Sequence, residues 1–320
     1  MRKRSPFLLA ALSAALALPS PAPAQDFPNR TIQFIVPFGP GFVDVVARAL
    51  GEQMAADLGK PVIIVNRPGA AGSVGAAQVA KADPDGYTLL LGGLASNIMA
   101  PAINANISYD GIRDFTQIAY IGGPAIALVV PGDSPIKNLK DLAETAKAGK
   151  LAGYASSGVG TTGNIVMEIL GQRLGFRIPH VPYNSAAMTD IITGRVPVAA
   201  YTYTSTLGLV QGGQLRAIAV TGEKRGREMP DVQTLREQGI DLAALSWLAL
   251  LGPRGIPQPV VARLEAAAVK AMKSATVIKH FEINGIETRD IPAKGLAAHF
   301  EAEARIWVPA AKAAVPAAPK

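Results

Sequence analysis

The apolar residues of this chain form short continuous runs that alternate with helical repeats. Runs typical of strands occupy 31–36, 62–65 and 87–91, and between the first two an apolar residue recurs at every fourth position, which predicts a helix that ends at Gly59. Because the run at 62–65 is apolar throughout, we expect a strand that is buried on both faces of a parallel sheet. This alternation of strands and helices predicts an α/β architecture.

The same alternation returns in the second part of the chain. Its predicted strands are 118–130, 151–155, 181–183, 196–200, 215–220 and 246–251. Asn138 with Asp141 three residues later resembles a capping box and predicts a helix start, and Pro257 predicts another. The tail 309–320, rich in alanine and proline, predicts a frayed end.

Two α/β sets joined by extended apolar segments predict two lobes. The chain leaves the first set near residue 122 and returns to it near residue 247. We therefore expect lobe 1 to comprise 25–122 plus 247–320, and lobe 2 to comprise 123–246. Open α/β sheets bind ligands at the carboxyl ends of their strands, so we expect a ligand cleft between the lobes.

The first 24 residues are typical of a secretory signal peptide. Three basic residues at positions 2–4 precede an apolar stretch over 7–18, and a small-x-small signal ends at Ala24. The apolar stretch is shorter than the roughly 20 residues that a membrane-spanning helix needs, so a cleaved signal is preferred to a membrane anchor. We expect cleavage after Ala24 and a mature protein in the periplasm.

Composition and charge exclude several classes of chemistry. The chain is 49% apolar and 17% charged, which is typical of a globular protein with a buried core. It has no cysteine and only three histidines, which are far apart, so we expect neither a metal site nor a bound cofactor. The formal charge of +7 falls to +4 without the three bases of the signal peptide, and no charged run indicates nucleic-acid binding. We expect a monomer.

Two glycine-rich loops are the candidate ligand-binding elements. One is 39–41 and the other is 158–163, and each follows a predicted strand and opens a predicted helix. A helix N-terminus offers unpaired N–H groups and a partial positive charge, so two such loops facing each other would hold an anion. The segments 37–44 and 155–164 contain no Lys, Arg or His, so a carboxylate would be held by dipoles and neutral donors. The alternative is that the hydroxyl groups only cap helices and the glycines only form turns.

The candidate ligand-binding residues cluster around these two loops, and we predict no catalytic residue. Asp44 has two open interpretations, because a carboxylate in the first turn of a helix either caps that helix or accepts a hydrogen bond from a ligand or a water. Phe38, Phe42 and Tyr203 are candidates to line the pocket. The full set of predicted ligand-binding residues is Phe38, Pro40, Gly41, Phe42, Asp44, Ser96, Ser156, Ser157, Gly158, Gly160, Thr161, Asn164 and Tyr203.

The loop 158–163 also matches the G-x-G-x-x-G pattern of dinucleotide-binding proteins. A strand precedes it and a helix follows it, but the next strand offers 180–183 (HVPY) in place of the acidic residue that binds a ribose. An exported α/β enzyme with a nucleotide cofactor therefore remains an alternative. No motif surrounds any histidine, so we expect each of the three to be structural or to lie on the surface.

Several motifs in order along the mature chain resemble the Bug-type receptors, the periplasmic solute-binding proteins of tripartite tricarboxylate transporters. These motifs are Ile35–Phe38 with Pro40, Gly41 and 44–48; 66–70 with Gly72; 83–89; Asp114 with Phe115; 156–158 with Gly160 and Thr161; 180–183; 215–221; 230–232; and Ser246 with Trp247. The resemblance implies a two-lobed periplasmic-binding-protein fold of type II-like architecture without catalysis. It also implies a small carboxylate held between the first loop and the 156–161 loop, partly through water.

Four departures from the family pattern lie around the expected cleft. The first loop is one residue shorter and has Phe42 after its glycine, and Asn164 stands where the family often has histidine. The segment 183–190 is about two residues shorter, and Pro197 and Tyr201 occupy positions that are commonly aspartate. The resemblance therefore implies a receptor that passes a di- or tricarboxylate, an aromatic acid or an amino acid to membrane transporter subunits. The same site in a sensing module for a membrane kinase is a further alternative.

Overall fold

The computed structural model describes residues 27–183 and 188–314, so the predicted signal peptide, 184–187 and 315–320 lie outside the described residues. The strands are β1 (Ile32–Val36), β2 (Val62–Asn66), β3 (Thr88–Gly93), β4 (Phe115–Pro124), β5 (Ile126–Pro131), β6 (Tyr154–Ser156), β7 (His180–Pro182), β8 (Val198–Thr202), β9 (Leu215–Val220), β10 (Leu248–Pro253) and β11 (Ile286–Glu287). The helices are α1 (Phe42–Leu58), α2 (Ser73–Ala80), α3 (Ala100–Ile103), α4 (Leu139–Lys147), α5 (Thr162–Leu174), α6 (Met188–Ile192), α7 (Tyr203–Gln211), α8 (Gln258–Met272), α9 (Ala275–Ile283) and α10 (Ala293–Ala314). A π-helical turn, Leu94–Met99, joins β3 to α3.

Lobe 1 is built on a six-stranded sheet with the order β11-β4-β10-β3-β1-β2. β1 runs parallel to β2 and β3, whereas β10 is antiparallel to β3 and β4. Helices α1, α8 and α9 pack on one face, and α2 and α10 pack on the other. The expectation that 62–65 is buried on both faces is wrong, because β2 is an edge strand. Its Ile64 packs against α1, but Ile63 points to the opposite face and is 52% exposed.

Lobe 2 is built on a five-stranded sheet with the order β7-β6-β8-β5-β9. β6 is parallel to β7 and β8, and β5 is antiparallel to β8 and β9. Helices α4 and α5 cover one face, and α6 and α7 cover the other. The predicted strand 151–155 is shifted, since only Tyr154–Ser156 pairs with its neighbours. The predicted helix start at Asn138 is confirmed, because the Asn138 side chain accepts a hydrogen bond from the N–H of Asp141.

Two chain crossings connect the lobes. β4 passes directly into β5, and the return path runs from β9 through 221–247 to β10. Thr221, which is fully buried, accepts the N–H of Ile126 at 2.8 Å through its hydroxyl and donates its own N–H to the Ile126 carbonyl at 2.9 Å. The N–H of Ser246 donates to the Pro124 carbonyl at 2.9 Å. These bonds hold the two crossings side by side.

The strand directions place the two candidate ligand-binding loops at this crossing, one from each lobe. β4 runs in the same direction as β1 and β3, so the carboxyl ends of all three point toward lobe 2. β5 leaves the crossing, and β6 and β8 run opposite to it, so their carboxyl ends return to the crossing; Thr202 at the end of β8 pairs with Ile126 at the start of β5. Both sheets therefore present the carboxyl ends of parallel strands to the space between the lobes.

The C-terminal helix α10 ties the two lobes together. It packs on β4 and on the π-helical turn in lobe 1, and on α5 in lobe 2. Glu303 accepts from the indole N–H of Trp247 at 2.8 Å and of Trp307 at 2.9 Å, and both indoles are fully buried. The prediction of a frayed tail from Pro309 is wrong up to residue 314, because burial of Trp307 and Ala311 holds the helix past the proline.

Candidate functional site

The loop between β1 and α1 is the lobe 1 half of the candidate site. Phe38 is half-buried against Gly72 and Ser96, since a Cβ on Gly72 would lie 3.0 Å from both Phe38 Cζ and Ser96 Cβ. Gly72 has φ +91°, so this contact and the backbone both require glycine. Phe38 and Ser96 therefore belong to one surface at the carboxyl ends of β1 and β3.

The tip of the same loop is open. Pro40 and Gly41 are exposed and Phe42 is half-buried. A Cβ on Gly39 or Gly41 would meet no other described atom within 4 Å. Gly41 is the N-cap of α1, and no side chain of the described chain caps it, so the first amides of α1 are open to a ligand or to water.

Asp44 is buried in the first turn of α1, as expected, but its side chain does not cap the helix, and its contact with a ligand stays a prediction. Its Oδ2 accepts from Arg48 Nε at 2.8 Å, and its Oδ1 accepts from Arg48 Nη2 and from Asn66 Nδ2, both at 2.9 Å. The hydrogen bond from Arg48 holds the pKa of the Asp44 carboxyl below its usual value. Asn66 Nδ2 also donates to the Phe38 carbonyl at 3.0 Å. Asp44 therefore fixes the loop through Asn66, and Arg48 neutralises its charge.

Ser96 lies behind Phe38 and is fully buried. Its hydroxyl accepts the N–H of Gly93 at 3.2 Å and donates to Asn97 Oδ1 at 2.7 Å. The Ser96 hydroxyl thus supports the π-helical turn after β3, and its contact with a ligand stays a prediction.

Ser156 begins the lobe 2 half of the candidate site. It ends β6, is fully buried, and its hydroxyl lies 2.8 Å from His180 Nε2 on the neighbouring strand β7. The same hydroxyl accepts the N–H of Gly158 at 3.3 Å, and Thr161 Oγ1 donates to the Gly158 carbonyl at 2.8 Å. The loop is therefore closed on itself by its own side chains.

His180 was expected to be structural or on the surface, and it proves to support this loop. Its ring stacks on Tyr154 with centroids 4.9 Å apart, and burial lowers the pKa of the imidazole, which favours the neutral form. A serine–histidine pair suggests a nucleophile, but no carboxylate of the described residues contacts the other ring nitrogen, and Ser156 is inaccessible. The pair is therefore suited to holding the loop rather than to nucleophilic attack.

Asn164 supports the glycine of the same loop from below. It is 1% exposed; its Oδ1 accepts the N–H of Gly160 at 2.9 Å, and its Nδ2 donates to the Tyr154 hydroxyl at 2.7 Å. Gly160 has φ +77°, and a Cβ there would lie 2.6 Å from Ile103 of lobe 1. The Gly160 N–H is therefore occupied within the protein, and Gly160 is also a point where the lobes touch.

The N-terminus of α5 provides the unpaired donors of lobe 2, which are buried in this structure. The first intrahelical bond is donated by Ile165 to the Thr161 carbonyl, so the amides of Thr162, Gly163 and Asn164 precede it. Thr161 is the N-cap but accepts no capping hydrogen bond from the described residues. The Thr162 hydroxyl is buried, and it too has no partner within the described part of the chain. These amides and this hydroxyl can satisfy an anion at the positive end of the helix.

Two predicted residues differ in position from the rest: Ser157 lies at the exposed tip of the lobe 2 loop, and Tyr203 lies outside both loops. Tyr203 begins α7, and its hydroxyl donates to Glu228 Oε2 at 3.2 Å. A Cβ on Gly285 would lie 3.0 Å from the Tyr203 ring, so Tyr203 lines a second cavity, between lobe 2 and the C-terminal part of lobe 1.

The structure thus places most of the predicted residues in the two loops at the crossing, with Ser96 behind the lobe 1 loop, Asn164 in α5 beneath the lobe 2 loop, and Tyr203 elsewhere. The sequence analysis missed Asn66 and His180, although both lie inside motifs that carried the family resemblance. Sequence alone does not show that β2 pairs with β1 or that β7 pairs with β6. These pairings place Asn66 beside the lobe 1 loop and His180 beside the lobe 2 loop.

No group of three or more acidic or histidine residues capable of holding a metal occurs in the described ranges. The described helices also include none with the length and apolar character needed to cross a bilayer.

Comparison with known proteins identifies similar chains. Residues 46–308 match the family described as Tripartite tricarboxylate transporter family receptor. The chain is 36% identical over 291 residues to a UPF0065 protein of Bordetella pertussis, across 88% of this chain and 90% of that protein.

Two solved structures share the fold over both lobes. Periplasmic binding protein BugD is similar with a TM-score of 0.76 and 30% identity, covering 90% of this chain and 98% of that chain. R. palustris Rpa4515 with adipate is similar with a TM-score of 0.79 and 28% identity, again covering 90% and 98%. The prediction of a two-lobed periplasmic-binding-protein fold is confirmed.

Proposed function

Because the chain belongs to the tripartite tricarboxylate transporter receptor family, we propose that it captures a small organic carboxylate in the periplasm and delivers it to membrane transporter subunits. The similar protein BugD is a periplasmic binding protein, and Rpa4515 was solved with adipate, a dicarboxylate. These neighbours are binding proteins rather than enzymes, so the proposal assigns no catalytic residue and no cofactor.

The observation that carries this proposal is the N-terminus of α5. Its unpaired amides and the unpartnered, buried Thr162 hydroxyl lie at the carboxyl end of β6, on the side that faces lobe 1. A hydrogen bond to a charged group contributes about 1.5–3 kcal/mol, so two or three such donors are sufficient to orient one carboxylate. No cation is needed, which fits the absence of Lys, Arg and His from 155–164.

The N-terminus of α1 supports a ligand with a second carboxylate. Its first amides are also uncapped, but it is more exposed than the N-terminus of α5; it lies at the carboxyl end of β1 and faces the space between the lobes. Phe38 forms an apolar wall beside it, which suits a methylene segment between two acid groups. We therefore propose a dicarboxylate whose two ends bind one helix N-terminus in each lobe.

A ligand screen tests the proposed function. We expect at least one of succinate, malate, adipate and citrate to raise the melting temperature of residues 25–320, because a ligand at a hundredfold excess over its Kd adds about 2.7 kcal/mol of stability. A shift with NAD(H) and none with any carboxylate would contradict the proposal. Uptake of the identified ligand by cells with and without the protein separates transport from sensing.

Substitution Thr162→Val tests the site itself. We expect the identified dicarboxylate to bind at least tenfold more weakly, since one hydrogen bond to a charged group is lost. The free energy of unfolding should stay the same or rise, because the hydroxyl has no protein partner in the described structure. Thr145→Val in α4 is the control: its hydroxyl donates to the Asp141 carbonyl far from both loops, so ligand affinity should not change. Equal affinities for the wild-type protein and Thr162→Val would remove α5 from the site.

A further inference from the structure

A cavity of about 420 Å³ lies between the lobes, away from the crossing loops, and neither candidate ligand-binding loop contributes to its lining. Lobe 2 supplies Tyr203 and the segment 224–228, whereas lobe 1 supplies α9 and the residues 285–288 that include β11. This volume lies within the range of about 300–1,000 Å³ that is typical of small-molecule sites. The cavity is therefore large enough for a ligand of its own.

The walls of this cavity are mostly apolar. Lobe 1 contributes Ile278, Phe281 and Ile286, and Ile278 is 44% exposed although it is a large aliphatic residue. Tyr203 closes the lobe 2 side, where its ring packs against the main chain of Gly226. An exposed apolar lining of this kind favours an occupant with an apolar body.

The charged residues around the cavity leave one cation available. Arg225 pairs with Glu237 at 2.9 Å, and Arg227 lies 3.7 Å from Glu282. Lys224, by contrast, is exposed and forms no ion pair or hydrogen bond with any described residue. Burial raises the pKa of the Glu287 carboxyl, and the positive charge of Lys224 acts against that rise.

The remaining acids of the lining are also engaged. Glu228 accepts the Tyr203 hydroxyl at 3.2 Å. The carboxyl of Glu287 lies next to Gly222 and accepts a hydrogen bond from the backbone of Glu223. Lys224 is therefore the cation of the described lining that no acid contacts directly, and it belongs to a cavity whose walls are mostly apolar.

We propose that this cavity is a second binding site, which takes an amphipathic monocarboxylate with its apolar body against Ile278, Phe281 and Ile286 and its carboxylate at Lys224. Such a ligand touches both lobes at once, because Lys224 belongs to lobe 2 and the apolar wall belongs to lobe 1. The proposal does not depend on which ligand the loops at the crossing bind.

Octanoate is the probe for this site, with octanol as the neutral analogue of equal chain length. Calorimetric titration of residues 25–320 should show saturable octanoate binding that is at least tenfold tighter than octanol binding, because octanol cannot pair with Lys224. Lys224→Gln should weaken octanoate binding by about tenfold and leave octanol binding unchanged. Lys279→Gln is its control, since Lys279 is an exposed lysine on α9 outside the lining.

A second variant fills the chamber. Ile278→Trp should abolish octanoate binding, whereas Ile283→Trp should not, because Ile283 is 60% exposed on the same helix but does not line the cavity. Dicarboxylate binding measured on Ile278→Trp should stay at the wild-type value, so a failure of this proposal is distinct from a failure of the proposed function. Absence of saturable octanoate binding, or equal affinity in Ile278→Trp and Ile283→Trp, overturns the proposal.

Discussion

The two ligand loops at the crossing are built differently. The lobe 2 loop 156–161 is fixed from inside, with Ser156 bound to His180 and Gly160 bound to Asn164. The lobe 1 loop 37–44 is held at its base by Asp44 and Asn66 and by the packing of Phe38 on Gly72, but an added Cβ on either of its glycines would meet no other described atom within 4 Å.

This difference indicates a division of roles between the lobes. The lobe 2 loop is fixed by its own hydrogen bonds, so it holds the unpaired amides at the start of α5 in one geometry, which suits them to the carboxylate that we propose as the common group of the ligands. The lobe 1 loop has open space around its tip, so it can adapt to the rest of the ligand without disturbing a packed neighbour. We therefore expect ligand class to depend on lobe 2 and ligand identity to depend on lobe 1.

The largest difference in stability between the two lobes should come from adding one methyl group to a glycine in each lobe. A Cβ on Gly163 would lie 2.2 Å from the Ala200 carbonyl oxygen, so Gly163→Ala must displace α5 from β8. We expect a loss of about 3 kcal/mol or more in the free energy of unfolding, at the upper end for overpacking. Gly39→Ala should change it by less than about 0.5 kcal/mol. Urea unfolding measures both, and similar losses in the two variants would contradict the comparison.

A smaller difference in stability should come from removing the side-chain amide that supports each loop. Asn164→Ala leaves the buried Gly160 N–H without its acceptor, and we expect a loss of about 2 kcal/mol. Asn66→Ala removes donors to Asp44 and to the Phe38 carbonyl, but Asn66 is only half-buried, so water can replace them and about 1 kcal/mol should be lost. Hydrogen exchange of the two loops would locate each effect. An equal loss in both variants would show that the lobe 1 loop is as rigidly held as the lobe 2 loop.

The smallest effect should be the pH dependence that Asp44 contributes. Because the Arg48 hydrogen bond lowers the pKa of Asp44 in the folded protein, its stabilisation is present above the ordinary value of 3.8 and is lost as pH falls through the lowered folded value. Asp44→Asn should therefore be less stable than the wild-type protein at pH 7, and the difference should vanish in acid. Asp133→Asn, an exposed carboxylate without an ion pair in the described structure, is the control. A difference that is constant from pH 7 to pH 3 would show that the charge of Asp44 does not matter.

Much of the fold could be predicted because it depends on local pattern. The helix after the first loop ends at Gly59 as expected, with Gly59 in the left-handed conformation, and the strand 215–220 was predicted at its observed bounds. The expectations that failed involve contacts between distant segments. The apolar run 62–65 does not reveal that β2 lies at a sheet edge, and the proline at 309 does not reveal that Trp307 and Ala311 are buried.

The candidate site shows the same limit. Glycines after strands identified both loops, because a chain that turns from a strand into an open helix N-terminus needs them. The sequence did not indicate that Asn164 occupies the Gly160 amide, that His180 supports Ser156, or that Arg48 and Asn66 bind Asp44.

The sequence by itself determined the two α/β sets, the position of the ligand loops and the family, because all three are carried by residue order and periodicity. Only the tertiary structure decided which donors of the loops are free. A hydrogen-bond donor is available to a ligand when no neighbour accepts from it. Some of those neighbours lie on other strands, such as His180 beside Ser156, and others are local residues whose side chains only the folded structure orients, such as Asn164 beside Gly160. The same reason explains why Tyr203 and Lys224 line a separate cavity, since its wall from α9 and β11 lies more than fifty residues further along the sequence.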